Sequence, residues 1–253
     1  MAMRPKTEGD PIQPSVDQLK KLLKWYDIQG RGIPPEDFFT HMRKCCVLVP
    51  LFLKAGQWHV LLTVRSSRLR SDPSVVAFPG GQRDENDADA ARTALREAEE
   101  EVGLLESQVE IVARLFPFVA PPDYCISVFV GIIPPDFIPI PCSSEVEEVF
   151  DIPLKAFLGK DYTVRETDFY GVRFDVPYFA VPNKPLTVWG LTAFVNVMVA
   201  FIAYRIRRNF RFMRNVAHAQ YEEKDIFADL KLLFFYCGHR AVLNRKIIPL
   251  SNL

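Results

Sequence analysis

A short acidic segment decides the fold of this chain, and it reads Arg96-Glu97-Ala98-Glu99-Glu100-Glu101-Val102-Gly103-Leu104. On a helix that turns about 100° per residue, angles around the helix axis can be measured from Glu97. Glu100 then lies at about −60° and Glu101 at about +40°. Three carboxylates therefore share one face of the predicted helix. Glu99 projects away from that face and is expected to be solvated.

The apolar residues of the same segment define a second face, formed by Ala91, Leu95, Ala98 and Val102. On the same geometry these side chains cluster beside the carboxylates. The pattern predicts a helix from about Asp89 to Val102 that Gly103 ends. Its apolar face would rest on a sheet while the glutamates point into a cleft.

The three glutamates need a counter-charge, because carboxylates this close repel one another and oppose helix formation. Arg96 offers part of it through an i,i+4 pair with Glu100. A divalent cation offers more, since Mg²⁺ and Mn²⁺ prefer carboxylate oxygens and keep waters for substrate phosphates. The alternative is a solvated acidic helix face, which is the usual meaning of a run of glutamates.

The context of the segment favours the metal. The segment resembles the core of the Nudix box, Arg-Glu-U-x-Glu-Glu-x-Gly-U with U aliphatic, at every defined position, and Phe78-Pro79-Gly80-Gly81 stands where that family has its glycine-bearing loop. The resemblance implies a hydrolase that cuts a phosphoanhydride bond with Mg²⁺ or Mn²⁺. It implies metal binding by Glu97, Glu100, Glu101 and the Gly81 backbone, and catalytic roles for Arg96, Glu97 and Glu100, with Arg96 orienting the glutamates.

The loop before the helix departs from the family pattern by one residue. Asp87 stands six residues after Gly81, where the family has a glutamate, but Arg96 follows nine residues later rather than eight. Either Asp87 replaces that glutamate or the role is vacant. Activity is expected to survive, because the position lies outside the Glu-x-x-Glu-Glu cluster.

A narrower resemblance links the chain to the coenzyme A diphosphatase branch of the family. It is carried by Leu61–Arg70, by the run from Val75 into the glycine pair, and by Trp189-Gly190-Leu191-Thr192-Ala193. It implies cleavage of coenzyme A or acyl-coenzyme A to 3′,5′-ADP and 4′-phosphopantetheine or its acyl derivative. Ser74 stands where the branch has glycine, so a φ above zero there would strain the serine.

The predicted substrate contacts are Arg65, Arg68, Arg70, Phe78 and Gly80. Guanidinium groups suit phosphate oxygens. Since neighbouring residues of a strand face opposite ways, the three arginines cannot all reach one ligand, and each has a surface role as the alternative.

The base that activates water is harder to identify. One of the glutamates in the box is a candidate. A second acidic cluster, Ser144–Val149, precedes an apolar run, and Nudix enzymes often bring another carboxylate from such a place. Glu147 and Glu148 are the candidates there, and a polar strand edge is the alternative. The four histidines form no catalytic pair.

The order of elements predicts an α/β protein of the Nudix type, an α/β/α sandwich around a mixed sheet with helical extensions at both ends. Strands are expected at Cys45–Leu53, Trp58–Val64, Val109–Phe116 and Tyr124–Ile133, and a short amphipathic helix near Leu19–Tyr26. The predicted organisation is an N-terminal extension (1–40), a Nudix domain (41–185) and a C-terminal helical segment (186–253). Within the last, Asp225–Tyr236 is expected to form an amphipathic helix.

Composition limits the classes of partner. The chain carries 31 basic and 31 acidic residues among 253, so no global positive field favours nucleic acid. Five cysteines without a CxxC pair predict reduced thiols in an intracellular protein. The uncharged run Val188–Tyr204 is shorter than a membrane span needs and contains Thr192 and Asn196, which favours a buried core helix.

The last three residues, Ser251-Asn252-Leu253, resemble the Ser-Lys-Leu peroxisomal address with asparagine in the basic position. They predict recognition by the peroxisomal import receptor, with the cytoplasm as the alternative location. A substrate other than coenzyme A, such as ADP-ribose or a dinucleotide, and a non-catalytic binding module remain the alternatives for function.

Overall fold

A computed structural model describes residues 12–29, 41–120, 123–169 and 172–205. The helices are α1 (Val16–Trp25), α2 (Ala90–Val102) and α3 (Gly190–Tyr204). The strands are β1 (Arg43–Lys54), β2 (Gln57–Arg65), β3 (Val76–Ala77), β4 (Gly80–Gln82), β5 (Glu110–Ala120), β6 (Tyr124–Ile132), β7 (Val146–Pro153), β8 (Tyr162–Phe169), β9 (Val172–Ala180) and β10 (Thr187–Val188). Short 3-10 turns cover Glu106–Gln108 and Leu154–Leu158.

The main sheet is built around β1. This strand pairs antiparallel with β2 and β4 and parallel with β6, and the path of the sheet runs β3-β2-β1-β6-β5. Strand β7 pairs antiparallel with β2. The mixed sheet expected from the sequence is therefore confirmed, and its strands β1, β4, β6 and β7 contact α2.

The two faces of this sheet are covered by different helices. Along β1, Cys46 and Leu48 pack in the cluster that contains the apolar residues of α2, whereas Val49 and Leu51 pack in the cluster of α1 and α3. This alternation follows from the two-residue period of a strand. The α/β/α sandwich is confirmed: among the described helices, α2 covers one face and α1 and α3 cover the other.

The second sheet was not predicted from the sequence. Strands β8, β9 and β10 form a separate three-stranded antiparallel sheet in the order β10-β9-β8. The segment Tyr162–Phe169 mixes charged residues with apolar ones and lacks the continuous apolar run that marked β1 and β2. Its strands are stabilised by pairing with each other, which a pattern confined to one segment does not reveal.

The N-terminal helix is anchored at both ends. Ser15 caps α1 in a capping box with Gln18. Beyond the helix, the buried carboxylate of Asp27 accepts hydrogen bonds from Lys24 Nζ at 2.6 Å and from the backbone N–H of Arg114 in β5 at 2.9 Å. The predicted short helix is therefore confirmed, and it packs against α3 and β5.

The apolar run near the C-terminus forms a helix of the core. Twelve residues of α3 are buried, among them the polar Thr192 and Asn196, so the expectation of a buried core helix is confirmed. No helix in the described ranges is both long enough and apolar enough to span a membrane. The predicted helix Asp225–Tyr236 lies outside the described residues, and the predicted domain bounds stay predictions.

Candidate active site

Helix α2 has nearly the bounds that its sequence predicts, and it ends at Gly103 as expected. Asp89 caps it by accepting a hydrogen bond from the Arg92 N–H at 2.8 Å, and Gly103 ends it in the left-handed conformation with φ of 72°. Ala94, Ala98 and Val102 pack on the sheet. The acidic face is thereby held on a rigid element whose position the core determines.

Arg96 lies at the centre of a network of carboxylates. Its Nε and Nη2 atoms donate to the two oxygens of Asp87 at 3.0 and 3.1 Å. It also donates to Glu97 Oε1 at 2.9 Å and to Glu100 Oε2 at 2.8 Å. The hydrogen bonds from Arg96 hold the pKa of Asp87 well below its ordinary value. Asp87 thus pairs with Arg96 in spite of the longer loop. This pairing favours the alternative in which Asp87 replaces the glutamate of the family pattern.

A cluster of three carboxylates forms beside this network. Glu97, Glu101 and Glu145 each bring one oxygen into a group whose members all lie within 4.8 Å of one another. Glu101 is only 4% exposed and accepts a hydrogen bond from the Gly80 N–H at 3.2 Å. Burial raises the pKa of Glu101 to about 8. Burial also raises the pKa of Glu97, although Arg96 opposes the shift.

The donor set of this cluster fits a divalent cation. Converging carboxylate oxygens are the ligands that Mg²⁺ and Mn²⁺ prefer. Burial disfavours the ionised forms of Glu97 and Glu101, and a cation among the three oxygens would favour them. We name Glu97, Glu101 and Glu145 the carboxylate cluster.

The two glycines next to the cluster are required for different reasons. Gly80 has φ of +154°, and a Cβ there would lie 2.3 Å from the carbonyl oxygen of Cys46. A Cβ on Gly81 would lie 2.5 Å from the carboxylate of Glu97. Gly80 therefore allows β4 to pair with β1, while Gly81 leaves room for a carboxylate of the cluster.

The remaining predicted glutamates occupy other positions. Glu100 is exposed and paired with Arg96, outside the carboxylate cluster. Glu147 accepts a hydrogen bond from the Ser67 N–H at 3.3 Å. Glu148 forms an ion pair with Lys184. The second acidic segment therefore contributes Glu145 to the cluster, and not the two residues singled out in the sequence.

Glu145 was missed because the sequence contains no local signal for its position. The loop before β7 runs along the end of α2, where the Ile140 N–H donates to Val102 O at 2.9 Å and the Cys142 N–H donates to Glu101 O at 2.9 Å. The Glu145 N–H in turn donates to Cys142 O at 2.9 Å. These bonds between distant parts of the chain bring Glu145 to the cluster.

The predicted substrate-binding residues divide into two groups. Arg65, at the end of β2, is partly buried, its charge lowers the pKa of Glu101, and its Nε has no hydrogen-bond partner within the described ranges. Arg68 donates to the backbone carbonyl of Ser143, and Arg70 is exposed. Phe78 is 4% exposed in the core shared with α1 and α3. Phe78 thus packs in the core, and its assignment to substrate binding stays a prediction.

The loop that carries Arg68 and Arg70 begins and ends beside β2. The Ser74 N–H donates to Arg65 O at 3.0 Å, and the Arg65 N–H donates to Val75 O at 3.0 Å. Ser74 has φ of 59°, so the strain expected for a serine in place of glycine is present.

Replacing Ser74 by glycine is expected to raise the free energy of unfolding by about 0.5–1 kcal/mol. Relief of about 1–2 kcal/mol of left-handed strain exceeds the entropy that glycine adds to the unfolded chain, about 0.4–1 kcal/mol. Urea unfolding measures the change. Ser71→Gly is the matched control, because Ser71 is exposed in the same loop and has no positive φ. Stabilisation of both variants alike, or of neither, would contradict this explanation.

The fold and the acidic helix beside a Gly-Gly turn define the class of this protein. The model of the NUDIX domain matches residues 42–170, which is half of the chain. The chain belongs to the Nudix hydrolase family and is an enzyme of that class.

Among curated relatives, the chain is 34% identical over 215 residues to a Mus musculus protein named peroxisomal coenzyme A diphosphatase NUDT7, over 79% of this chain and 85% of the relative. It is 39% identical over 169 residues to the Arabidopsis thaliana protein Nudix hydrolase 15, mitochondrial, over 64% of this chain and 59% of the relative. It is 45% identical over 153 residues to the uncharacterized Nudix hydrolase NudL of Escherichia coli K12, over 60% of this chain and 78% of the relative.

Proposed function

We propose that this enzyme hydrolyses the diphosphate of coenzyme A or an acyl-coenzyme A, with Mg²⁺ or Mn²⁺ held by the carboxylate cluster. The main support for a metal-dependent reaction is that oxygens of Glu97, Glu101 and Glu145 lie within 4.8 Å of one another beside a Gly-Gly turn. The substrate is supported by the branch motifs in the sequence and by the relative of that name, which matches most of the chain.

The carboxylate cluster and Arg96 have different roles in the site. Glu97 and Glu101 would hold the cation with the Gly81 backbone, and the Gly80 N–H keeps the buried carboxylate of Glu101 in position. Glu145 takes the part first expected of Glu147, as a further ligand or as the base that receives a proton from water. Arg96, itself held by Asp87, orients Glu97 and Glu100. Glu100, which is exposed and paired with Arg96, would be a further ligand when the cation is bound.

The cation, when bound, neutralises phosphate charge and lowers the pKa of a bound water. Arg65 adds a guanidinium close to Glu101, where it would donate to a phosphate oxygen of the substrate. Attack of water on one phosphorus and cleavage of the bridging P–O bond yield 3′,5′-ADP and 4′-phosphopantetheine, or its acyl derivative.

The test is incubation of the purified enzyme with coenzyme A and Mg²⁺ or Mn²⁺, with identification of the products by mass spectrometry. ADP-ribose serves as the comparison substrate, because other Nudix hydrolases are also among the relatives. The proposal expects 3′,5′-ADP and 4′-phosphopantetheine, and it expects both to disappear when a chelator is added. Cleavage of ADP-ribose alone would overturn the coenzyme A assignment and keep the hydrolase. Turnover in the presence of the chelator would overturn the metal assignment.

We also propose a peroxisomal location. The support is the C-terminal Ser251-Asn252-Leu253, which lies outside the described residues, and the name of the mouse relative. A fluorescent protein joined to the N-terminus should enter peroxisomes and should remain in the cytoplasm when the three residues are deleted. Equal distribution of both fusions would contradict the proposal.

A further inference from the structure

An aromatic stack stands on the surface between the second sheet and α3. The rings of Tyr178 in β9 and Trp189 at the start of α3 are parallel, with an interplanar angle of 2° and 5.6 Å between centroids. The guanidinium of Arg165 in β8 lies over the Tyr178 ring at 4.5 Å from its centroid. Tyr178 therefore contacts both the guanidinium of Arg165 and the indole of Trp189.

The end of the stack is an indole that is open to solvent. Trp189 is 39% exposed, although it is one of the largest apolar side chains in the protein. Its backbone is held firmly, because the preceding Val188 is fully buried and pairs with Phe179, and the Trp189 carbonyl accepts from the Ala193 N–H at 3.3 Å. The exposed part of the indole is therefore presented by a rigid support. Such a face is suited to stack on a planar ligand.

The stack is tied to the strand that leads to the carboxylate cluster. Thr192, one helical turn beyond Trp189, donates a hydrogen bond from its hydroxyl to Val76 O in β3 at 3.1 Å. From Val76 only four residues lead to Gly80, whose N–H binds Glu101. Four residues span at most about 14 Å of extended chain. A nucleotide whose diphosphate lies at the cluster carries its base over a comparable length.

We infer that Trp189 forms the platform on which the purine base of the substrate stacks, with Tyr178 and Arg165 behind it. The inference rests on the proposed cleavage of a diphosphate that contains a nucleotide. Stacking is the chemistry that fits, because the open group is a flat π-face and not a set of hydrogen-bond donors. Trp189 is then a residue that determines substrate affinity and takes no part in bond cleavage.

The test compares Trp189→Leu, which removes the ring, with Trp189→Phe, which keeps a smaller one. ADP is the binding probe, measured by calorimetry, and ribose 5-phosphate is the probe without a base. The affinity for ADP is expected to fall about 10-fold or more in Trp189→Leu and less in Trp189→Phe. The affinity for ribose 5-phosphate is expected to stay unchanged. In turnover, KM should rise while kcat stays within about threefold.

A second readout uses the intrinsic fluorescence of the protein, which has three tryptophans. ADP should quench the emission of the wild type and of Trp25→Phe, the control at an exposed tryptophan of α1. It should quench Trp189→Phe much less. Thermal unfolding of each variant reports on its stability independently of binding.

The outcomes separate this inference from the proposed function. Equal ADP affinity in the wild type and in Trp189→Leu would overturn the assignment of Trp189 as a platform. This holds even if the variant unfolds at a lower temperature, because Trp189 would then only stabilise the fold. Failure of the wild type to bind ADP would overturn it as well. ADP binding that depends on Trp189 without cleavage of coenzyme A would contradict the proposed substrate and support the platform.

Discussion

Replacing Glu101 by glutamine is expected to lower kcat by about 10³-fold while the protein stays folded. The amide retains an oxygen that can accept the Gly80 N–H, but it lacks the negative charge that a cation ligand needs. Charge stabilisation of several kcal/mol by a metal corresponds to about three powers of ten in rate. Steady-state kinetics with saturating Mg²⁺ or Mn²⁺ measures the loss, and circular dichroism checks the fold.

Glu99→Gln is the matched control for this experiment. Glu99 lies two residues earlier on the same helix, is exposed and stands outside the carboxylate cluster. The same chemical change there should leave kcat close to that of the wild type. Turnover of purified Glu101→Gln near the wild-type rate would refute the assignment of the cluster as the metal site. An equal loss in both variants would point to the net charge of the helix instead.

Replacing Gly81 by alanine is expected to lower kcat by about 10²-fold with a small loss of stability. The new methyl group would lie 2.5 Å from the Glu97 carboxylate, which is the end of a flexible side chain and can move away. The fold therefore absorbs the substitution, but the carboxylate cluster does not keep its arrangement. A displacement on the order of 1 Å in a catalytic site costs about 10²-fold in rate.

The control for Gly81→Ala is Gly56→Ala in the turn between β1 and β2. Gly56 has φ of 75° and an added Cβ meets no atom within 4 Å, so its variant has backbone strain and an intact site. It should lose stability and keep kcat. Gly80 is unsuitable as a control, since its Cβ would clash with the Cys46 backbone. The explanation fails if Gly81→Ala keeps full activity, or if both variants lose activity in proportion to their stability.

The parts of the site that the sequence predicted correctly are those encoded by neighbouring residues. The period of α2 and its end at Gly103 follow from residues within one helix. The strain at Ser74 also followed from a single position, because a residue other than glycine is strained in the left-handed conformation wherever it occurs.

The sequence was least informative where burial and strand pairing depend on parts of the chain that are distant in sequence. Phe78 adjoins the glycine pair, yet its ring turns into the core formed with α1 and α3. Strands β8 and β9 stabilise each other through their pairing, from Tyr162↔Phe179 to Phe169↔Val172. Neither contact leaves a periodic signal in its own segment, so a pattern read along the chain does not detect it.

The sequence by itself determined the family and the acidic helix, because both are set by residue type and short spacing. The reason for the two glycines opposite that helix came from the structure, where an added Cβ would meet Cys46 or Glu97. Only the tertiary structure decided which carboxylates meet. Glu145 joins Glu97 and Glu101, while Glu147 and Glu148 bind Ser67 and Lys184. The physical reason is that the loop before β7 is held to the end of α2 by backbone hydrogen bonds to Val102 and Glu101. Such bonds do not depend on side-chain identity, and a sequence therefore carries no sign of them.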